Sequence, residues 1–233
     1  MLSIQPSSLG ELTGRPRTGM SETEAAARTW DGYYAGSFTH APYTDAVVFA
    51  IKALSRNRTG VVYEFGCGNA QNLGFLRSLF PDARLIGSDV SEAGLAAARR
   101  RYEGLELFAN GETLALAPAS LDVVIERAAL QHVPKPLGQA YVDEIAEAMK
   151  PGAGAFFEIA NTDHGHAALG DGGQDPVFGY RVFYSLGEIE TLFAAFDIDQ
   201  VFERRRTLVR APDPAGSAPV YNEACFQIYL TRR

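Results

Sequence analysis

Apolar positions along the chain change period several times. From Ser21 to Leu54 they recur at helical spacing, through Trp30, Tyr33 and Tyr34 and the stretch Asp45–Leu54. Arg56-Asn-Arg-Thr-Gly60 breaks that pattern. Short apolar runs of strand type then alternate with amphipathic stretches. The runs are Val61–Phe65, Arg84–Ser88, Leu105–Phe108, Leu121–Glu126 and Ala153–Ala160. Between them fall Gln71–Phe80, an Ala-rich segment reaching Tyr102 behind the N-cap Ser91, and Leu137–Met149. Ser185-Leu-Gly-Glu188 reads as a capping box for a last helix ending near Ala195. Two strand-like stretches, Ile198–Leu208 and Ala224–Thr231, are joined by the Pro/Gly-rich Ala211–Pro219, which predicts an antiparallel pair at a sheet edge.

Strands alternating with helices in this rhythm predict βαβ units and a parallel sheet covered on both faces. The expected fold is α/β: a doubly wound, Rossmann-like, seven-stranded, mostly parallel sheet with an antiparallel C-terminal strand and an N-terminal helical lid. Residues 1–20 read as a flexible tail. Residues 21–233 read as one domain, with the lid at 21–56 and an acceptor-site insertion at 161–184.

Composition narrows the classes. With 233 residues the chain is long enough to bury a core without cross-links. Its net charge of −7 and lack of an extended basic stripe argue against nucleic-acid binding. No apolar run approaches the roughly 18 residues of a membrane span, and no membrane partner is expected. Met1–Gly19 lacks the apolar stretch of a secretory signal, and Cys67 and Cys225 are too few for a disulfide framework, so a cytoplasmic setting is expected.

The candidate chemistry sits after the first strand. In an open parallel sheet, ligands bind beyond the carboxyl ends of the strands at the switch point, which Glu64-Phe-Gly-Cys-Gly-Asn-Ala70 would occupy. Gly66 and Gly68 allow a tight turn and close approach of a ligand to the backbone. Asp89, ending the second strand, suits two ribose hydroxyls because each carboxylate oxygen can accept one. A dinucleotide fingerprint needs a small residue at position 71, where Gln71 stands. Glu64 is a poor neighbour for a pyrophosphate and a good one for an ammonium or sulfonium. The combination favours S-adenosylmethionine over NAD.

Val61-Val-Tyr-Glu-Phe-Gly-Cys-Gly68 resembles motif I of the class I S-adenosylmethionine-dependent methyltransferases, with Ala70 in place of the third glycine. Ile86-Gly-Ser-Asp89-Val-Ser91 resembles the ribose-binding strand end of that family. Phe108-Ala-Asn110-Gly111-Glu112 resembles the adenine-binding segment, with Asn110 where Asp is usual. Leu121–Arg127 followed by Ala-Ala-Leu-Gln-His132, Met149-Lys-Pro-Gly152 and Trp30-Asp-Gly-Tyr-Tyr34 resemble later motifs and the N-terminal aromatic segment. The resemblance runs from about residue 29 to 160. It implies an enzyme that binds S-adenosyl-L-methionine and its product S-adenosyl-L-homocysteine through Tyr34, Glu64, Gly66, Cys67, Gly68, Asn72, Asp89, Val90, Asn110, Gly111, Glu112 and Arg127. The implied reaction is methyl transfer to an O, N or C atom of a small molecule, in natural-product or secondary metabolism. The alternatives are a non-catalytic cofactor-binding protein and an RNA or protein methyltransferase. A monomer or homodimer is expected.

Two histidines are candidates for a general base: His132, just beyond the fourth strand, and His166 in the 161–184 segment. That segment mixes aromatics, polar groups and a cation, so Tyr180, Arg181 and His164 join Tyr33 as substrate candidates, with Arg181 suited to a carboxylate or phosphate. His164 and His166 lack a third ligand at diagnostic spacing, and no metal is expected. Cys67 reads as a small residue in a crowded loop, and Arg204-Arg205-Arg206 as a solvated face of an edge strand.

Overall fold

The computed structural model describes residues 22–35, 41–109, 116–170, 173–175, 179–209 and 220–233. The 1–20 tail, the expected adenine-side residues Asn110, Gly111 and Glu112, and the 211–219 connector lie outside the described residues.

Seven strands form one sheet: β1 (Val61–Phe65), β2 (Arg84–Asp89), β3 (Glu106–Ala109), β4 (Leu121–Arg127), β5 (Met149–Ala160), β8 (Phe196–Val209) and β9 (Val220–Arg232). Their order is β3-β2-β1-β4-β5-β9-β8. β1 to β5 pair in parallel, and β9 runs antiparallel to both β5 and β8. The chain winds outward from β1 to β3 and then restarts at β4 on the other side of β1, which makes the β1–β4 gap the switch point. A separate small hairpin pairs β6 (Gly173–Asp175) with β7 (Gly179–Arg181).

Helices cover both faces, which is why the central strands are apolar without strict alternation. On one face α2 (Thr44–Leu54), α3 (Gln71–Leu79) and α4 (Glu92–Arg101) bury Ala50, Leu73, Leu76 and Leu95 against Val62, Leu85, Val123 and Phe156. On the other, α5 (Lys135–Ala148) and α6 (Leu186–Leu192) bury Val142, Ile145, Ile189 and Leu192 against Tyr63, Val124, Phe157 and Ile228. The first described helix, α1 (Glu22–Ala35), packs on α4 and β7 instead of entering either core. None of the helices among the described residues is long and apolar enough to cross a membrane.

Local signals behave as their chemistry requires. Ser91 Oγ accepts from the Gly94 N–H at 3.1 Å, and Ser185 and Glu188 complete the capping box of α6. Some boundaries differ from expectation. β5 starts at Met149 and continues through Pro151 and Gly152, whose exposed positions need no ladder hydrogen bond. α6 stops at Leu192, because the Phe196 N–H turns back onto the Phe193 carbonyl and starts β8 at once.

Candidate active site

A cavity of about 300 Å³ opens over the carboxyl ends of β1, β2 and β4, roofed by α1. Its floor is the turn after β1. Gly66 and Gly68 both have positive φ (69° and 56°), and both are crowded. A Cβ on Gly66 would fall 2.1 Å from the Ala129 Cβ, and one on Gly68 would fall 2.0 Å from the Tyr34 hydroxyl. Gly66 is therefore fixed by the switch-point contact with the β4 loop, and Gly68 by the lid. Ala70 also lies in the left-handed region, at φ 55°, so the position where the family resemblance expects a third glycine has the backbone conformation glycine favours.

Carboxylates brace this floor. Glu64 is buried and accepts from Asn72 Nδ2 at 2.6 Å, while Asn72 Oδ1 accepts from the Tyr43 N–H at 2.8 Å. The other Glu64 oxygen, Oε2, has no hydrogen-bond partner. Burial, opposed by the Asn72 hydrogen bond and reinforced by Asp89 and Glu126, pushes the Glu64 carboxyl up to about 8. Asp89 accepts the Gly68 N–H on Oδ2 at 2.7 Å and the Ser91 N–H on Oδ1 at 2.8 Å. Each oxygen keeps acceptor capacity for a hydroxyl. Burial raises Asp89 to about 6 against these backbone bonds. Val90 lines the same wall.

Cys67 also lines the cavity, but burial and then Asp89 and Glu64 raise its pKa, so it stays a thiol and not a nucleophile. Tyr34 is held as a phenol by burial and by Asp89. Its ring meets Tyr33 edge-on at 5.2 Å, and Trp30 stands edge-on to both Tyr33 (5.5 Å) and His132 (5.1 Å).

The far wall comes from the turn after β4. Glu126, fully buried, accepts the Ala129 and Leu130 N–H groups at 2.5 and 2.9 Å and so pins the 3-10 turn Leu130–His132. Gln131 is anchored by accepting the Ala160 N–H at 2.8 Å. His132 Nδ1 lies 2.8 Å from the Tyr180 carbonyl oxygen, which can only accept, so Nδ1 carries the proton and Nε2 is the basic nitrogen of the neutral ring. Nε2 is 3.3 Å from Gln131 Nε2. Tyr180 and the buried Arg181 bring β7 to the same cavity. Arg127 stacks 3.8 Å over the Tyr43 ring and lies 3.1 Å from Glu158.

The cavity thus gathers Tyr33, Tyr34, Glu64, Gly66, Cys67, Asn72, Asp89, Val90, Arg127, His132, Tyr180 and Arg181, with the Gly68 backbone in its floor. His164 and His166 are not among its lining residues. Their turn reaches toward β9, where the Gly165 N–H donates to the Asn222 carbonyl, but the buried His164 Nε2 lies 3.2 Å from Nη1 of Arg181, directly behind the cavity wall. No group of three His, Cys, Asp or Glu able to hold a metal occurs among the described residues. The arginine run is more engaged than a solvated face: Arg204 binds Glu158 at 2.8 Å, Arg206 binds Glu223, and Arg205 binds Glu203 at 2.7 Å. Sequence reasoning missed Glu126 and Gln71 as cavity builders. Gln71 was legible as a bulky residue after the glycine turn, but not as a wall of the site.

This strand order, with one reversed strand and a cavity at the switch point, is the architecture of class I methyltransferases. A solved S-adenosylmethionine-dependent methyltransferase from Anabaena variabilis ATCC 29413 has this fold, with a TM-score of 0.65 at 18% identity over 95% of this chain and 99% of that one. TehB from Haemophilus influenzae has a TM-score of 0.63 at 15% identity, over 88% and 67% of the two chains. Residues 62–152 match a family profile described as a methyltransferase domain. The matched region is thus similar to methyltransferases, and S-adenosylmethionine is the methyl donor that this similarity implies. Over 73 residues the chain is 38% identical to proteins named trans-aconitate 2-methyltransferase from Acidovorax sp. (strain JS42) and Acidovorax ebreus (strain TPSY). That match takes in 31% of this chain and 28% of the relatives' length.

Proposed function

We propose that the protein transfers a methyl group from S-adenosylmethionine to a small-molecule acceptor, with His132 as general base. The observation that carries this reading is the junction of two half-sites in one cavity. Glu64, the glycine turn and Asp89 form one end; Arg127, His132, Tyr180 and Arg181 form the other. The buried, unpartnered Glu64 Oε2 fits the ammonium of the cofactor, and the Asp89 carboxylate fits its ribose. When bound, S-adenosylmethionine supplies an electrophilic methyl group on a sulfonium.

The chain's own residues then do three things. Tyr33, Tyr34 and Trp30 close over the cavity and exclude water, which strengthens the electrostatics inside it. The Tyr180 carbonyl fixes the tautomer of His132, so that Nε2 can take a proton from an acceptor hydroxyl. Arg181 offers a guanidinium for an acidic group on the acceptor, a reading that the name of the Acidovorax relatives supports. A cytoplasmic setting belongs to the same proposal.

Trp30, the single tryptophan, lines the cavity and reports on it. Titration with S-adenosylhomocysteine should change its fluorescence saturably, and product formation from S-adenosylmethionine should appear with a panel of small carboxylate and hydroxyl acceptors. Saturable binding without turnover across the panel would instead support a non-catalytic cofactor-binding protein.

A further inference from the structure

Gln131, in the turn after β4, lines the cavity and is buried, and its amide has a determined orientation. Oε1 accepts the Ala160 N–H at the end of β5 at 2.8 Å. A reversed amide would set its NH2 against that N–H, donor against donor. The NH2 end therefore points the other way, to His132 Nε2 at 3.3 Å. His132 Nδ1 in turn donates to the Tyr180 carbonyl at 2.8 Å. A backbone donor on β5 and a backbone acceptor on β7 thus bracket two side chains, and these fixed ends dictate where each proton between them lies. The Gln131 main chain holds the same frame, because its carbonyl accepts the Val182 N–H at 2.8 Å.

This chain of hydrogen bonds discriminates between the protonation states of His132. A neutral ring with its proton on Nδ1 satisfies every link. The other neutral tautomer breaks both links to the ring. An imidazolium keeps the Tyr180 bond but turns an Nε2–H against the Gln131 NH2, and unmatched donors are costly where water is largely excluded. The charges around the ring do not reverse this preference. Arg127 and Arg181 share the cavity wall with one carboxylate, Glu223 on β9, which Arg206 already binds. Tyr33 on α1 is held as a phenol by burial. Behind the turn, Glu126 accepts the Ala129 and Leu130 N–H groups, and Lys135 pairs with Glu188.

We propose that Gln131 is a positioning residue for His132: its amide holds the ring neutral, with the proton on Nδ1 and Nε2 unprotonated. The catalytic consequence rests on the reading of His132 as general base, since only an unprotonated Nε2 can take the proton of an acceptor hydroxyl. Gln131 acts through the ring and not on the acceptor.

The test is an NMR pH titration of the histidine rings in the ligand-free full chain, with the His132 signals assigned from a His132→Gln variant. At pH 7 the wild-type ring should be neutral and protonated on Nδ1. Gln131→Glu keeps the length of the side chain and an oxygen for the Ala160 N–H, but replaces the NH2 donor with an anionic acceptor. It should raise the midpoint of the His132 titration by about 1 to 3 pH units, as an adjacent opposite charge does. Gln131→Met removes the donor without adding charge and should give a smaller rise; it carries the test if Gln131→Glu folds poorly. A midpoint unmoved in the folded variants, or a wild-type proton on Nε2, overturns the proposal and assigns Gln131 to anchoring Ala160 alone. The acidic limb of the kcat/KM profile for a hydroxyl acceptor should move with the ring. A limb that stays in place while the ring titration moves supports the Gln131 assignment and overturns His132 as the base.

Discussion

Asp31 on α1 accepts a hydrogen bond from Ser91 Oγ at 2.7 Å, and the same oxygen accepts the Ala93 N–H at 3.0 Å. Ser91 is the N-cap of α4 and directly follows the Asp89–Val90 wall, so the lid is tied to the helix that begins beside the cavity. Asp31→Ala removes the tie but leaves the Ser91 cap in place. We expect a loss of about 1 kcal/mol, the usual cost of a lost N-terminal capping contact. For a chain of this size that is roughly 2–4 °C in melting temperature. The larger effect should be kinetic: S-adenosylhomocysteine should leave faster in stopped-flow fluorescence of Trp30. An unchanged dissociation rate would mean that α1 does not retain the ligand.

His132 and His166 should behave differently. Substituting His132 by Ala should lower methyl transfer to a hydroxyl acceptor by roughly 10²- to 10⁴-fold, the range of a lost general base. Cofactor affinity should hold. His166→Ala should stay near wild type, because His166 is not part of the cavity lining. Near-wild-type turnover in both variants would leave positioning as the whole of the catalysis and favour an amine or carbon acceptor.

The ligand-free protein should lose stability as pH rises from about 5 to 8. Burial raises Glu64 and Glu126 to about 8 and Asp89 to about 6, whereas unfolded carboxyls titrate near 4. In that window the unfolded chain has released protons that the folded chain retains, so unfolding is favoured as pH increases. Glu188 does not offset this. Lys135 and Ser185 outweigh burial and hold it at about 2, so its contribution is complete above about pH 4.5 and is lost only as pH falls toward 2. Urea melts at pH 5.5 and 8 measure the difference. A flat or rising profile would show that these carboxyls are ionised in the folded state.

Gly66→Ala should destabilise the protein and disturb the His132 turn together, because its methyl meets a Cβ on a backbone that Glu126 pins. Overpacking costs about 1–3 kcal/mol and the left-handed φ adds about 1–2. The double variant Gly66→Ala/Ala129→Gly removes the clash and keeps the backbone strain, so it should recover part of the loss in denaturant melts. No recovery would place the whole cost in φ.

The sheet and most of the cavity floor were legible in the sequence because their causes are local. Alternating strand and helix periods, the Ser91 cap, the Ser185–Glu188 box and the glycines after β1 each act within a few residues. Asp31 and Ser91 lie too far apart in sequence for any periodicity to join them. Glu126 looks like the polar end of an apolar strand until the turn beyond it is seen to donate two N–H groups to it. His166 followed from the expectation that residues 161–184 enclose the acceptor, whereas among the described residues of that segment Tyr180 and Arg181 are the ones that line the cavity. The 161–166 turn bonds to β9 through Gly165 and stands behind the wall through the His164–Arg181 contact, two contacts that no motif encodes.

β9 follows β8 in the chain yet lies between β8 and β5. β8 therefore cannot join the sheet by itself, and the order of assembly is constrained. Pairing of β8 with β9 closes a shorter loop than pairing of β9 with β5, so the hairpin should form first and dock as a unit. Until it does, the open edge of β5 presents Phe156, Phe157 and Ile159, a run prone to edge-to-edge association. Substitutions on the β5-facing strand, such as at the buried Ile228, would thus register first as a lower yield of folded protein, before any change in the chemistry of the cavity.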